Sequence, residues 1–299
     1  MSSKQRLSCG KALIRKPAET MRFPFFKTFL FSALGGLVLS IALLIAADIS
    51  YLNAQSIREL FLSEEIRYSF FLTLATSCIS TLFAMLFAIP SAYALSRFDF
   101  RGRAILDAII DLPIVIPILV IGVSILVFFR IGSDLVDSPL PLLRVLGRFL
   151  AAMADFFIYQ KPGIVLAQFY CAVSFAVRTI KANFDSIDPR TEKVALTLGC
   201  SRAQAFWRVS LPMARHGIMA GAVLAWARAF GVFGATSIVA GAVRKKTEVL
   251  PTSIFLEISI GRIETALAIS MLMIVVALIM LLGLRLLTGG NIFGLGERS

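Results

Sequence analysis

Asp188-Pro-Arg-Thr-Glu-Lys-Val-Ala-Leu-Thr-Leu-Gly-Cys-Ser-Arg-Ala-Gln-Ala-Phe-Trp-Arg-Val-Ser-Leu-Pro212 is a polar stretch embedded in a strongly apolar chain. Its local chemistry spells two short helices. Pro189 suits the first turn of a helix, residues 190–198 are good helix formers, and Gly199 fits a left-handed residue that ends it. Ser201-Arg-Ala-Gln204 has the form of a capping box, so a second helix starts there. Phe206, Trp207 and Val209 form an apolar patch on that helix, and Pro212 is expected to stop it before the next apolar run. The stretch is too polar to enter a bilayer, and an exposed apolar patch on such an element implies a partner.

The surrounding chain is membrane-embedded by composition. Of 299 residues, 58% are hydrophobic and only 16% charged, with a mean hydropathy of +0.85; soluble chains carry about 25% charged residues. A span needs roughly 20 apolar residues, so the length accommodates about six spans and no further globular domain of ordinary size. The apolar runs predict spans at Thr28–Ala47, Ser69–Leu95, Ile105–Phe129, Gly163–Val177 with a polar-tipped continuation, Gly217–Val232 and Ile263–Leu287. The first run is too long for a secretory signal and reads as a retained helix. Gly231, Gly234 and Gly241 loosen the far end of the fifth. The expected fold class is an all-α integral membrane protein. Its expected organisation is a basic arm over 1–27, a first helix and outer loop over 28–64, a transmembrane core over 65–287 containing the polar loop 186–212, and a tail over 288–299.

The net charge of +12 would suggest nucleic acid in a soluble chain. Here it reports orientation. With the N-terminal arm inside, nineteen Lys and Arg fall on the inner side, ten on the outer side, and Arg228 alone within a span. Seven of the nineteen lie in the stretch from Arg178 to Arg215. This bias puts both termini in the cytoplasm and removes the need for a nucleic-acid partner.

Enzymatic chemistry finds little support. Cys9, Cys78, Cys171 and Cys200 are scattered without paired metal-ligand spacing, and with His216 the sole histidine a histidine-based metal centre or a Ser-His-Asp triad is hard to build. No P-loop occurs; Gly241-Ala-Val-Arg-Lys-Lys-Thr247 lacks the second glycine. No catalytic residue, cofactor or metal is expected.

The polar stretch resembles the EAA motif of ATP-binding-cassette importer permeases, with the pattern E-A-A-x3-G-x9-I-x-L-P. Here it reads Lys193-Val194-Ala195, then Gly199, then Val209-Ser210-Leu211-Pro212. Lys193 stands at the usual glutamate position, with the acid, Glu192, one residue earlier. Over roughly 65–287 the chain is similar to the sulfate, molybdate and tungstate permeases of that family. The similarity runs through Arg97-Phe-Asp-Phe-Arg-Gly-Arg103, Leu106-Asp-Ala-Ile-Ile-Asp-Leu-Pro-Ile-Val-Ile-Pro117, Gly163-Ile-Val-Leu-Ala167, Val177-Arg-Thr179, Arg228-Ala-Phe-Gly-Val-Phe-Gly-Ala-Thr236 and Thr247-Glu-Val-Leu-Pro251. Val232 departs from it, standing where several relatives have glutamate.

The resemblance implies an importer permease fold in a bacterial or archaeal cytoplasmic membrane, and a homodimer working with two ATPase subunits and an extracytoplasmic solute-binding protein. It also implies that Glu192, Lys193, Val194, Ala195, Gly199, Ser201, Phe206, Val209, Leu211 and Pro212 dock on an ATPase. The implied cargo is molybdate, tungstate or sulfate, with thiosulfate, phosphate, iron or a polyamine as alternative solutes.

A path for an oxyanion needs donors and positive potential that do not hold it too tightly. Candidate path residues are Arg228, Gly231, Gly234, Thr236, Ser237 and Ser174. Two readings of Arg228 stand: it lines the path, or it snorkels or pairs with a carboxylate such as Asp111. Ser and Thr equally serve helix packing. Pro113 and Pro117 are expected to kink the third helix. Asp107 and Asp111 share a helix face near the inner boundary, and interfacial solvation or pairing with Arg101 and Arg103 is expected of them ahead of proton chemistry. An ion-driven secondary transporter is the competing class; it favours an internal repeat with broken helices, and no such repeat is visible.

Overall fold

The structure, a computed structural model, describes residues 24–287. Most of the expected basic arm, Cys9 and the tail 288–299 lie outside the described residues. The described residues divide into two compact units, 24–51 and 52–287. In the first, helix α1 (Pro24–Ser50) has exposed apolar side chains on every side, Phe29, Leu34, Val38 and Leu44 among them. A helix apolar all round is a membrane span. Its hydroxyls do not break that rule, because Ser32, Ser40 and Ser50 donate to their own helix carbonyls three residues back.

The second unit is entirely helical among the described residues. Helix α2 (Ala54–Leu62) leads into α3 (Glu64–Arg97), with Ser63 capping the start of α3 by accepting from the Ile66 amide. At 1.5 Å per residue the 34 residues of α3 run roughly 51 Å, longer than a bilayer core. A stripe of small residues, Ser69, Thr73, Ser77, Ser80, Ala84, Ala88 and Ala92, is buried along it. In lipid, small side chains at such spacing let helices approach and pack. Helix α3 packs on α7 (Lys161–Ser186), the most extensive helix pairing among the described residues, with Ala88 and Ala92 in one core cluster with Ala172 and Ala176.

The third expected span is broken in two. Helix α4 (Arg103–Val115) ends at Ile116, which is extended, and α5 (Ile118–Val136) restarts after Pro117. The physical reason is proline's bias of the preceding residue toward extended backbone together with its missing N–H. Pro113, by contrast, is accommodated inside α4.

Residues 130–162, expected to be a loop, contain helix α6 (Pro141–Phe157), strongly amphipathic and folded back against α5. Leu142, Val145, Leu146, Phe149 and Met153 recur with helical period, but Arg144, Arg148 and Asp155 keep the segment below span hydropathy. The hairpin depends on two glycines. A Cβ on Gly147 would lie 2.6 Å from the Val136 amide nitrogen and 2.9 Å from the Gly132 carbonyl oxygen, both backbone atoms that cannot step aside. Gly147→Val therefore pries α6 from α5. Overpacking of this kind costs about 1–3 kcal/mol, and the expected result is a thermal midpoint several degrees lower for the detergent-purified protein, with Gly35→Val in α1, where a Cβ meets nothing, as the unchanged control.

The coupling-type stretch forms α8 (Arg190–Thr197), α9 (Arg202–Ala205), a π-turn over Phe206–Ser210, and α10 (Leu211–Met213). Helix α11 (Arg215–Phe230) follows and packs on α7 through Gly217 and Gly221, whose Cβ atoms would collide with Asn183 and Ile180. With 16 residues α11 spans roughly 24 Å, short for a bilayer core. Five described helices are long and apolar enough to cross a membrane, and this expected fifth span is not among them. After Gly231 the chain turns into α12 (Gly234–Val239), then α13 (Leu250–Ser259) and α14 (Ile263–Leu287).

Candidate coupling element and transmembrane path

In the 188–212 element the sequence-level caps form as the residues demand. Gly199 has φ +89, the Cys200 amide donates to the Ala195 carbonyl at 3.1 Å and the Gly199 amide to Leu196 at 3.1 Å, the paired bonds of a Schellman motif. Ser201 and Gln204 exchange both capping-box bonds, at 3.2 and 2.8 Å. Pro189 is the residue just before α8.

Pro212 does the opposite of what was expected. It occupies the first turn of α10, where its missing N–H costs nothing, and the chain reaches it through the π-turn, in which the Leu211 amide bonds Phe206 five residues back. The chain thus passes on toward α11 without a stop. Phe206 also departs from the expected patch: its ring packs 4.6 Å from that of Tyr93. Val194, Leu198 and Trp207 remain exposed, at 57%, 80% and 65%, whereas Ala195 is buried.

The acid of the motif is turned inward. Arg97, at the end of α3, donates from Nε to Glu192 Oε1 at 2.7 Å and from a terminal nitrogen to the Ile187 carbonyl at 3.0 Å. The Tyr93 hydroxyl donates to Glu192 Oε2 at 3.0 Å. The Arg97 and Glu192 side chains are only 8% and 12% exposed. Glu192 therefore fastens the element to α3, and its neighbour Lys193 faces outward.

Asp107 and Asp111 meet neither Arg101, Arg103 nor Arg228. Both pair with Arg178 of α7, Asp107 at 3.2 Å and Asp111 in a two-pronged contact, while Arg103 pairs with Asp99. Arg178 thereby ties the half-helix α4 to the central α7. Arg178 was counted in the sequence only as a cytoplasmic charge. The i,i+4 spacing of the two aspartates signals one cationic partner, but not which.

Arg228, in the last turn of α11, lays its guanidinium carbon 4.4 Å from the centroid of the Phe175 ring, and its buried Nε has no hydrogen-bond partner. The contact is of the cation–π type, in which the guanidinium is attracted by the ring face. Ser174 is buried on α7 next to Phe175 in sequence. The α12 hydroxyls are occupied by their own helix. Thr236 and Ser237 donate their hydroxyls to backbone carbonyls of Val232 and Phe233. Gly234 lies where a Cβ would press on Leu119 at 3.1 Å. Gly231 has room for a side chain, its nearest contact at 3.7 Å being ordinary.

At the opposite end of the bundle lies a cluster that sequence reasoning missed. Arg244 bridges Glu65 of α3 and Glu257 of α13, the latter at 2.8 Å; Lys245 pairs with Glu64. Buried Thr73 accepts from the Leu250 amide at 2.8 Å. A cavity of 330 Å³ beside Arg244 is lined by Glu59, Glu65, Glu248 and Glu257. The bond to Glu65 raises the Arg244 pKa above its ordinary value.

Burial pushes the Glu248 carboxyl above the usual carboxylate range, helped by Glu65 and Glu257 and opposed by Ser253 and Arg244. A carboxyl with a raised folded pKa stabilises the fold fully below its unfolded value, about 4.3, and that contribution is lost as pH rises through the folded value. Glu248→Gln is expected to flatten the fall in thermal midpoint as the protein is titrated upward from that range, and melting curves across pH read it directly.

A bundle with a broken α4–α5 helix, an arginine stacked on an aromatic ring between α11 and α7, and a polar helix–turn–helix clamped to its longest helix has the architecture of a solute permease. The chain belongs to the family described as the binding-protein-dependent transport system inner membrane component, whose profile matches residues 80–289. It is the inner-membrane permease subunit of an ATP-binding-cassette importer, a transport subunit. It is 35% identical over 223 residues to the molybdate/tungstate transport system permease protein of Pyrococcus abyssi, covering 72% of this chain and 78% of that one. It is 31% identical over 215 residues to the sulfate transport system permease protein CysT of Salmonella typhimurium, covering 72% and 74%. Among solved structures, a bacterial transporter described as importing the acidic polysaccharide alginate matches with a TM-score of 0.67 at 20% identity, over 89% of this chain and 94% of that one. At that identity the likeness speaks for the fold.

Proposed function

We propose that this permease forms the translocation pathway for a small oxyanion, molybdate, tungstate or sulfate, and is driven by two ATP-binding-cassette ATPases engaging the 189–212 element. Two copies of the chain enclose the path, an extracytoplasmic binding protein delivers the anion, and both termini lie in the cytoplasm. The single observation that carries the coupling role is the capped helix–turn–helix fixed to α3 by the Arg97–Glu192 pair: motion imposed on that element reaches the longest helix of the bundle. The cargo assignment rests on the names of the relatives at 31–35% identity. Arg228 supports an anionic cargo, since it stacks on Phe175 and forms no ion pair with a carboxylate among the described residues.

In this reading ATP-driven closure of the ATPases pulls on the element and swings α4, α5, α7, α11 and α14 between outward and inward arrangements. The α4–α5 break at Ile116-Pro117 is a point at which that half-helix can turn. The test is reconstitution in proteoliposomes with the cognate ATPase inside and the binding protein outside. ATP-dependent accumulation of one of the three anions is expected. Equal uptake without any ATPase overturns the reading in favour of a secondary transporter, and uptake of thiosulfate, phosphate, iron or a polyamine alone overturns the cargo.

A further inference from the structure

Glu192 and Lys193 are consecutive on α8, so their side chains point about 100° apart around the helix. The clamp on Arg97 and Tyr93 consumes Glu192. Lys193 is left exposed and makes no ion pair among the described residues. Arg190, three residues before it and so its neighbour on the helix surface, is exposed and makes no side-chain ion pair among the described residues, and Arg202 and Arg208 are exposed across the turn. Over 188–212 the acids are Glu192, clamped inward, and Asp188, whose carboxylate accepts from the Arg190 backbone amide at 2.9 Å, against four Lys and Arg. Within this cationic rim lies an apolar row: Val194 on α8, Leu198 at its C-cap, and Trp207 beyond the turn. The row is held at a fixed angle by the Schellman motif at Gly199 and the capping box at Ser201.

From this we propose that the ATPase groove receiving the element is acidic at its rim, with a carboxylate opposite Lys193 and an apolar floor under Val194, Leu198 and Trp207. The inference rests on the coupling role proposed above and adds the chemistry of the partner: a cationic ridge selects an acidic groove and rejects a basic one. Electrostatic complementarity of this kind mainly sets which partner is accepted, because like charges facing each other across an interface are penalised heavily. A fluid headgroup layer also attracts cations beside apolar side chains, but it has no use for a ridge held rigid by two caps and an ion pair, so a shaped protein groove is the occupant the geometry favours. The consequence is that ATPases from systems whose groove offers a cation at this place do not substitute for the cognate one.

The experiment uses the full permease–ATPase complex in nanodiscs. Carbodiimide cross-linking of the unmodified complex, read by mass spectrometry, is expected to join Lys193 to an Asp or Glu of the ATPase. Lys193→Glu is expected to lower binding-protein-stimulated ATP hydrolysis about tenfold and to weaken ATPase retention, more at low than at high salt. Replacing the cross-linked ATPase carboxylate by lysine is expected to restore both. Lys193→Gln is the milder companion variant, expected to fall between. The proposal is overturned if Lys193 cross-links to no ATPase carboxylate, or if Lys193→Glu retains and stimulates the ATPase as the unmodified chain does. It is equally overturned if the substitution changes only the response to phosphatidylglycerol against phosphatidylcholine in the disc, which would assign the ridge to lipid. Failure of the unmodified chain to retain any ATPase would instead remove the coupling role itself.

Discussion

Arg97→Ala is expected to give the largest single loss of function and stability together. It strips the cation from Glu192, whose side chain is only 12% exposed, and leaves the Ile187 carbonyl without its arginine donor. Removing one partner of a buried pair costs about 3–5 kcal/mol. The low end of that range applies, because the Tyr93 hydroxyl continues to serve Glu192 Oε2. In the assembled importer the expected outcome is a thermal midpoint lower by several degrees and ATP hydrolysis that no longer responds to the binding protein. A second variant separates the two effects. Arg97→Met combined with Glu192→Leu replaces the pair with apolar side chains of similar bulk, an exchange that is commonly neutral or stabilising. Recovery of the melting point without recovery of coupling shows that the pair links the element to α3 as well as holding it there. Recovery of both would mean that packing alone carries the link.

Arg228→Gln is expected to lower anion uptake about tenfold or more while leaving complex assembly intact. A hydrogen bond to a charged group contributes about 1.5–3 kcal/mol, and each 1.4 kcal/mol is a factor of ten; the substitution removes both the charge and the fork of donors. Arg228→Lys restores the charge without the planar fork or its stacking on Phe175, so partial recovery is expected. Initial rates of radiolabelled anion uptake at saturating binding protein measure the effect. Unchanged uptake in Arg228→Gln would assign the residue to helix packing over Phe175 and remove it from the path.

What could be read without coordinates was whatever depends on neighbours within a turn or on a sustained apolar run. The last expected span, Ile263–Leu287, coincides with α14, and the first, second and fourth expected spans lie inside longer helices. Gly199 and the Ser201–Gln204 box also form where expected, since each is satisfied by backbone groups three to five residues away. The misreadings have local causes too. Pro212 is equally at home in a first turn as after a last one, and only the preceding π-turn distinguishes the two. Helix α6 was passed over because a 17-residue amphipathic segment is too short and too charged to register as a span.

The candidate site was legible as a location and much less so as a set of contacts. Arg228 was identifiable because a guanidinium within an apolar run needs a reason to be there. That it stacks on Phe175 and leaves Asp111 to Arg178 depends on how α4, α7 and α11 are turned relative to one another, and periodicity does not encode that rotation. Thr236 and Ser237 looked like free donors by residue type, yet their hydroxyls are spent on Val232 and Phe233, a use open to any Ser or Thr in a helix.

The sequence by itself determined that this is a multi-span membrane chain carrying a capped helix–turn–helix, because composition and caps are properties of residues close together in the chain. Only the tertiary structure decided which charges meet. Arg97 and Glu192 lie 95 residues apart, Arg178 and Asp111 67, and Arg244 and Glu65 179. Ion pairs at such separations are chosen by how packed helices rotate and slide against one another, and the small-residue stripes of α3, α7 and α11 that set this packing carry no charge to announce the result.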